Sequence, residues 1–143
     1  MSKPIFDKIS DYTRSQSRNK IVIHRERIAD IEPVNIGQSL SEAIFNFKET
    51  GKLPMRVSIE LDNILHTSIS QHDLFGKCLS IANLGILFEP ELKIDFSRLL
   101  DKYSQNNVLF VQWDGEINSG ILFFLSREHG VKINIRNLSH IVI

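Results

Sequence analysis

A chain of 143 residues, 42% hydrophobic and 24% charged, is long enough for one domain around one core and has an ordinary globular composition. Lys and Arg total 17, as do Asp and Glu, so the formal net charge is zero; this excludes the basic excess of a dedicated nucleic-acid binder, though not a local basic patch. The single cysteine, Cys78, excludes an intrachain disulfide and a cysteine-rich metal site and fits a reducing compartment, and no run of about 18 apolar residues is present to span a membrane.

The opening residues, MSKPIFDKIS, lack the apolar stretch of a secretion signal, so a cytoplasmic protein is expected. Over Ser2–Ser10, Ile5, Phe6 and Ile9 fall on one helical stripe, and Pro4 suits a first turn. This predicts a short amphipathic helix packed on the core or on a partner. Ser15–Asn19 is polar and turn-like. Lys20–His24 reads as a strand, and its continuous Ile21, Val22 and Ile23 predict burial on both faces. The connector after it, Arg25-Glu26-Arg27-Ile28-Ala29-Asp30, carries no glycine. A phosphate loop wraps its anion with backbone N–H groups unobstructed by Cβ atoms, and Glu26 adds an opposing charge, so a solvated connector is expected here.

Pro33–Ile36 predicts a short second strand. Ser39-Leu40-Ser41-Glu42 has the form of a capping box, predicting a helix from there to about Thr50, with Leu40, Ala43, Ile44 and Phe47 on one face and Gly51 as its stop. Pro54 begins a further helix over Met55–His66, in which Val57, Leu61, Ile64 and Leu65 repeat at helical spacing. His66–Asp73 reads as a polar surface loop; His66 and His72, six apart with Asp73 adjacent, match no familiar zinc spacing.

Lys77–Gly115 holds the clearest pattern. Cys78–Ile81 and Val108–Trp113 are apolar runs joined through helical spacing over Ile94–Tyr103, a β-α-β unit whose strands must be parallel. Ile121–Leu125 and Lys132–Ile135 are two more strands, turned by Glu116–Gly120 and Ser126–Gly130, expected as a C-terminal antiparallel extension. Leu138–Ile143 stays apolar, as an edge strand or a partner-covered segment would. The expected organisation is a single α/β domain over residues 1–143, with residues 1–19 a helix and connector and residues 20–143 a mainly parallel sheet core.

Motifs that would carry chemistry are weak. Where a nucleotide-hydrolysing protein places metal-holding acids after its second core strand, this chain has Ala82, Asn83 and Gly85; Glu89 and Glu91, flanking Pro90, read as charges at a helix start. Cys78 sits within an apolar strand, where a thiol behaves as a small hydrophobe, and Ser80 lacks a G-x-S-x-G elbow. Asp114, at a strand's carboxyl end, is the best-placed carboxylate, although Asp-Gly is also a routine turn. His24 and Arg25 end another strand and could face the same crevice. No motif specifies a cofactor or a metal.

An ordered series remains: Asn35-Ile36-Gly37-Gln38-Ser39-Leu40-Ser41-Glu42, Asn83-Leu84-Gly85-Ile86-Leu87-Phe88-Glu89-Pro90-Glu91-Leu92, Leu99-Leu100-Asp101-Lys102-Tyr103-Ser104, and Val108–Gly115 ending in Trp-Asp-Gly. It resembles the small P-loop protein family (BrxF) of type 3 BREX phage-defence islands, over roughly Lys20 to Leu125. The phosphate loop after His24 is missing and the acidic pair is replaced at Ala82 and Gly85, so no nucleotide-binding residue carries over. The resemblance implies a degenerate, three-layer P-loop-like fold without ATPase activity, kept as a scaffold subunit of an anti-phage complex.

The expected role is therefore a non-catalytic subunit docking on a larger ATPase, nuclease or phosphatase. Its expected contact surfaces are Ile5, Phe6 and Ile9 at one end and Ile141, Val142 and Ile143 at the other. Two alternatives stay open. One is a nucleotide-dependent or hydrolytic enzyme using His24, Arg25 and Asp114. The other is a nucleic-acid contact module using Arg14, Arg18, Lys20, Arg25 and Arg27. A homo-oligomer fits a neutral chain as well.

Overall fold

The apolar runs named above lie side by side in one twisted sheet. The computed structural model describes residues 3–47, 51–124 and 130–143. In chain order its elements are α1 (Lys3–Thr13), β1 (Ile21–His24), β2 (Val34–Asn35), α2 (Ile36–Phe47), α3 (Leu53–Thr67), β3 (Ser70–His72), β4 (Gly76–Ala82), α4 (Phe96–Ser104), β5 (Val108–Gln112), β6 (Ile117–Asn118), β7 (Ile121–Phe124), β8 (Val131–Asn134) and β9 (His140–Val142). The main sheet runs β2-β4-β5-β1-β9 with parallel pairing at every step, and β3 adds an antiparallel partner to β4.

Alternation along the strands divides the core into two layers. Ile21, Ile23, Leu79, Ile81, Leu109 and Val111 pack under α2, α3 and α4. Val22, Cys78, Val108 and Phe110 face the other way, against Ile9 of α1, Ile28, Ile31 and Phe75. The result is a three-layer α/β fold in which β1 and β5, covered on both faces, are the continuous apolar runs. The antiparallel extension is a sheet of its own, β6-β7-β8, because Leu122 and Ile133 bury into the first core layer beside Trp113 and not along an edge. The edge place beside β1 goes to β9, so the apolar tail is an edge strand.

Several boundaries move. α2 begins at Ile36, where Asn35 caps it by accepting the Gln38 N–H at 3.0 Å; Ser39 closes the first turn, so the capping box does not act as a cap. Ile36, fully buried, fixes that earlier start. The helix after Pro90 begins at Phe96, not Ile94, with Asp95 accepting the Arg98 N–H at 3.1 Å. Glu89 and Glu91 consequently lie at 3₁₀ turns (Gly85–Phe88 and Pro90–Leu92), away from that helix start. The loop expected over His66–Asp73 contains β3. The end expected for α2 near Thr50, Leu125 of the seventh strand, and positions 126–129 of the turn after it lie outside the described residues.

Candidate functional site

All five parallel strands end on one edge, and at that edge β1 and β5 part company. The chain leaving β1 passes over the α1 face through Ile28 and Ile31, whereas the chain leaving β5 passes into the small sheet on the opposite face. Such a divergence opens a crevice at the strand ends, the place where open α/β sheets hold ligands.

Cross-ties fill much of that crevice. The Trp113 N–H donates to the His24 carbonyl at 2.8 Å, and Gln112 Nε2 donates to the Arg25 carbonyl at 3.3 Å. Arg25 turns its guanidinium across the gap, Nη1 donating to the Asp114 carbonyl at 2.7 Å and Nη2 to the Gly115 carbonyl at 3.0 Å. These are backbone acceptors; the Asp114 carboxylate is not the partner. Gly115 is required there, since a Cβ would meet the Phe123 carbonyl oxygen.

His24 lies on the α1 side of this tie. It is 3% exposed, edge-on to Phe110, with Nδ1 2.8 Å from the Glu26 carbonyl, which fixes the proton on Nδ1 and leaves Nε2 a buried lone pair without a partner among the described residues. Burial lowers its pKa; the Glu26 carbonyl pulls weakly the other way. Its cavity, about 250 Å³, is lined largely by Ile5, Ile28 and Ile143.

Asp114 belongs to a second cavity, of about 240 Å³, over the ends of β4 and β5, with Asn83, Gln112, Trp113 and Phe124 around it. Thus His24, Arg25 and Asp114 share an edge but not a site, with Arg25 between two hollows. Asn83 holds the floor of the second. Its backbone is left-handed (φ 55°), its Nδ2 donates to Asn35 Oδ1 at 2.8 Å, and its carbonyl accepts the Gly37 N–H at 2.9 Å. Trp113 forms the wall, 3% exposed, its ring centroid 5.8 Å from Phe88 and 6.4 Å from Phe124. Its indole Nε1–H is buried with no partner among the described residues, a state that costs about 1–3 kcal/mol if nothing accepts from it.

The other singled-out residues are dispersed. Cys78 is buried on β4, its Sγ 3.4 Å from the Gly76 carbonyl, and burial pushes the thiol up to about 11. Ser80, also on β4, is buried with its hydroxyl unpartnered among the described residues. The His66 ring packs on Tyr103 and the His72 ring on Phe75, which belong to opposite core layers, so the two histidines do not form a pair. Among the basic residues, Arg18 pairs with Asp101 and Lys20 with the Ser15 carbonyl before β1, while Arg25 and Arg27, the latter paired with Glu32, follow it. They sit at opposite ends of the strand and make no single stripe. Arg14 is exposed. Ile9 is fully buried, Ile5, Phe6, Ile141 and Ile143 pack with it in the second core layer, and Val142 stays 42% exposed.

Sequence reading passed over Asn35 and the indole of Trp113. An asparagine just before an apolar helix is a cap signal in itself, but Asn35 falls within the stretch that reads as a short strand, Pro33–Ile36. Nothing local marks an unpartnered indole, because it depends on the small sheet folding over it. Comparison with protein-family models, curated proteins and solved structures finds no match for this chain.

Proposed function

We propose that this chain is a non-catalytic, cytoplasmic subunit of an anti-phage defence or DNA-processing assembly, docked on a larger protein such as an ATPase, nuclease or phosphatase. The observation that carries the reading is the use made of polar groups at the carboxyl edge. Arg25 stands where a phosphate loop would begin, yet its guanidinium is committed to two backbone carbonyls. Asn83 stands where a metal-holding acid would follow β4, yet it is bonded to Asn35 and Gly37. Side chains engaged in this way serve a scaffold; phosphate transfer needs charge directed at substrate. The ordered series from Asn35 to Gly115 supports the defence-system setting.

The docking surface is the outer side of α3. Met55 and Ile59, one helical turn apart, are 54% and 57% exposed on the face opposite Val57, Leu61 and Leu65. Ile9 is fully buried on this chain's own sheet, whereas Ile5, Phe6, Ile141 and Ile143 are partly buried and Val142 is exposed, so these five stay a second proposed contact beside α3. Among the described residues no helix is long and apolar enough to cross a membrane. The test is purification of the tagged chain from its native host, beside a Met55→Asp/Ile59→Asp variant. A large ATPase, nuclease or phosphatase is expected at fixed stoichiometry with the native chain and depleted at least about tenfold with the variant. A solitary protein that binds ATP would overturn the reading.

A further inference from the structure

We infer that the groove between α3 and α4 takes an acidic, amphipathic helix of the partner protein. The inference rests on the docked-subunit reading and names the chemistry of the segment that docks. The groove, about 300 Å³, is lined from α3 by Pro54, Ser58 and Asp62, one stripe at helical spacing, and from the α4 side by Lys93, Arg98 and Lys102. The exposed Met55 and Ile59 form the adjacent stripe along α3. A segment lying along the groove therefore meets apolar side chains on one shoulder and cations on the other.

The state of the charged groups sets the sign of the occupant. Both carboxylates of the groove are engaged within the chain: Asp62 accepts the Tyr103 hydroxyl at 2.5 Å and Lys102 Nζ at 3.2 Å, and Asp95 accepts the Arg98 N–H at 3.1 Å. Arg98 and Lys93 are exposed, and among the described residues neither side chain has a hydrogen bond or an ion pair. Local structure favours neither residue at its place. Arg98 stands in the first turn of α4, where the helix dipole favours acids, and Lys93 has left-handed backbone (φ 54°), which glycine or asparagine adopts more readily. Unpaired cations beside exposed apolar side chains complement a segment that carries carboxylates beside its own apolar stripe. That segment is a helix because both walls are helices. Neither wall has a free strand edge to pair an extended backbone, whereas a helix brings its backbone hydrogen bonds with it.

A photo-crosslinking amino acid placed at the exposed Ser58 reads the occupant directly in the complex purified from the native host. The captured segment is expected to show apolar residues at helical spacing and a net negative charge. Arg98→Glu gives a separate test. A glutamate three residues after the Asp95 cap completes a capping box, so the urea midpoint is expected to hold or rise. Co-purification of the partner is expected to fall at least about tenfold at low salt, with the difference narrowing in about 0.5 M salt, where surface charge is screened. Weaker binding without weaker folding cannot come from damage to the helix. If Met55→Asp/Ile59→Asp releases the partner while Arg98→Glu keeps it at low salt, the inference is overturned and the docked-subunit reading stands. A crosslinked segment that is basic, lacks helical spacing or is nucleic acid overturns it in the same way. A native chain that brings down no partner overturns both.

Discussion

His24 ties the stability of the fold to pH. Its imidazole is buried, bonded through Nδ1 to a carbonyl, and held below its ordinary value of 6.5 by desolvation. The unfolded chain therefore takes up a proton at His24 at a higher pH than the folded chain does. The stabilisation is complete above pH 6.5 and is lost as pH falls from 6.5 toward the folded value. The urea midpoint of the native protein is expected to fall between pH 7 and pH 5, and that slope to flatten in His24→Asn, which keeps a donor for the Glu26 carbonyl but does not titrate. Asp62 and Asp101 do not confuse the window. Burial raises Asp62 but its bonds to Tyr103 and Lys102 outweigh it, and the Asn19 amide lowers Asp101, so their stabilisation is lost only below the ordinary carboxylate value of 3.8. Cys78 offers a second check at this scale. With the thiol pushed up to about 11 inside the second core layer, a thiol reagent at pH 8 is expected to label it only as fast as the sheet opens, and to label it promptly in denaturant; prompt labelling of the native protein would contradict the packing. The sequence made Cys78 legible, because an apolar run of strand length buries whatever lies within it. It did not make His24 legible, because a histidine ending a strand reads the same whether its ring turns inward or out to solvent.

Elements were legible wherever one periodicity ruled. The α1 stripe of Ile5, Phe6 and Ile9 was visible in the first ten residues, and the structure places Ile9 against Val22 and Phe110. What holds the end of α1 was not visible. The Tyr12 hydroxyl accepts the Ile21 N–H at 2.9 Å and donates to the Asn19 carbonyl at 2.8 Å, with Ser139 Oγ 3.1 Å away, so one phenol joins the helix, the first strand and the approach to the last. Tyr12→Phe leaves the Ile21 amide unpaired and is expected to cost about 1–3 kcal/mol, read as a lower urea midpoint at unchanged slope; an unaltered midpoint would mean that the apolar stripe alone holds the helix. The misplaced start of α2 follows from a related limit. Two cap signals, Asn35 and Ser39, compete over four residues, and burial of Ile36 in the assembled core decides between them.

For the whole molecule, the parallel sheet was legible because continuous apolar runs separated by a helix admit few other arrangements. The order of strands was not, because each pairing is decided by surfaces far apart in sequence. β1 lies between β5 and β9, and Ile21 is matched to Leu109 on one side and His140 on the other. Its two isoleucines and one valine are fully buried in the finished fold, Ile21 and Ile23 in one core layer and Val22 in the other. On the ribosome this order has a consequence. β1 is made well before both of its neighbours, since β5 and β9 follow it by more than 80 residues of chain. Until then it is an unpaired, uncharged template for any passing strand. That interval makes the unfinished chain a natural client for a holdase chaperone, which would cover the apolar strand until its partners are made.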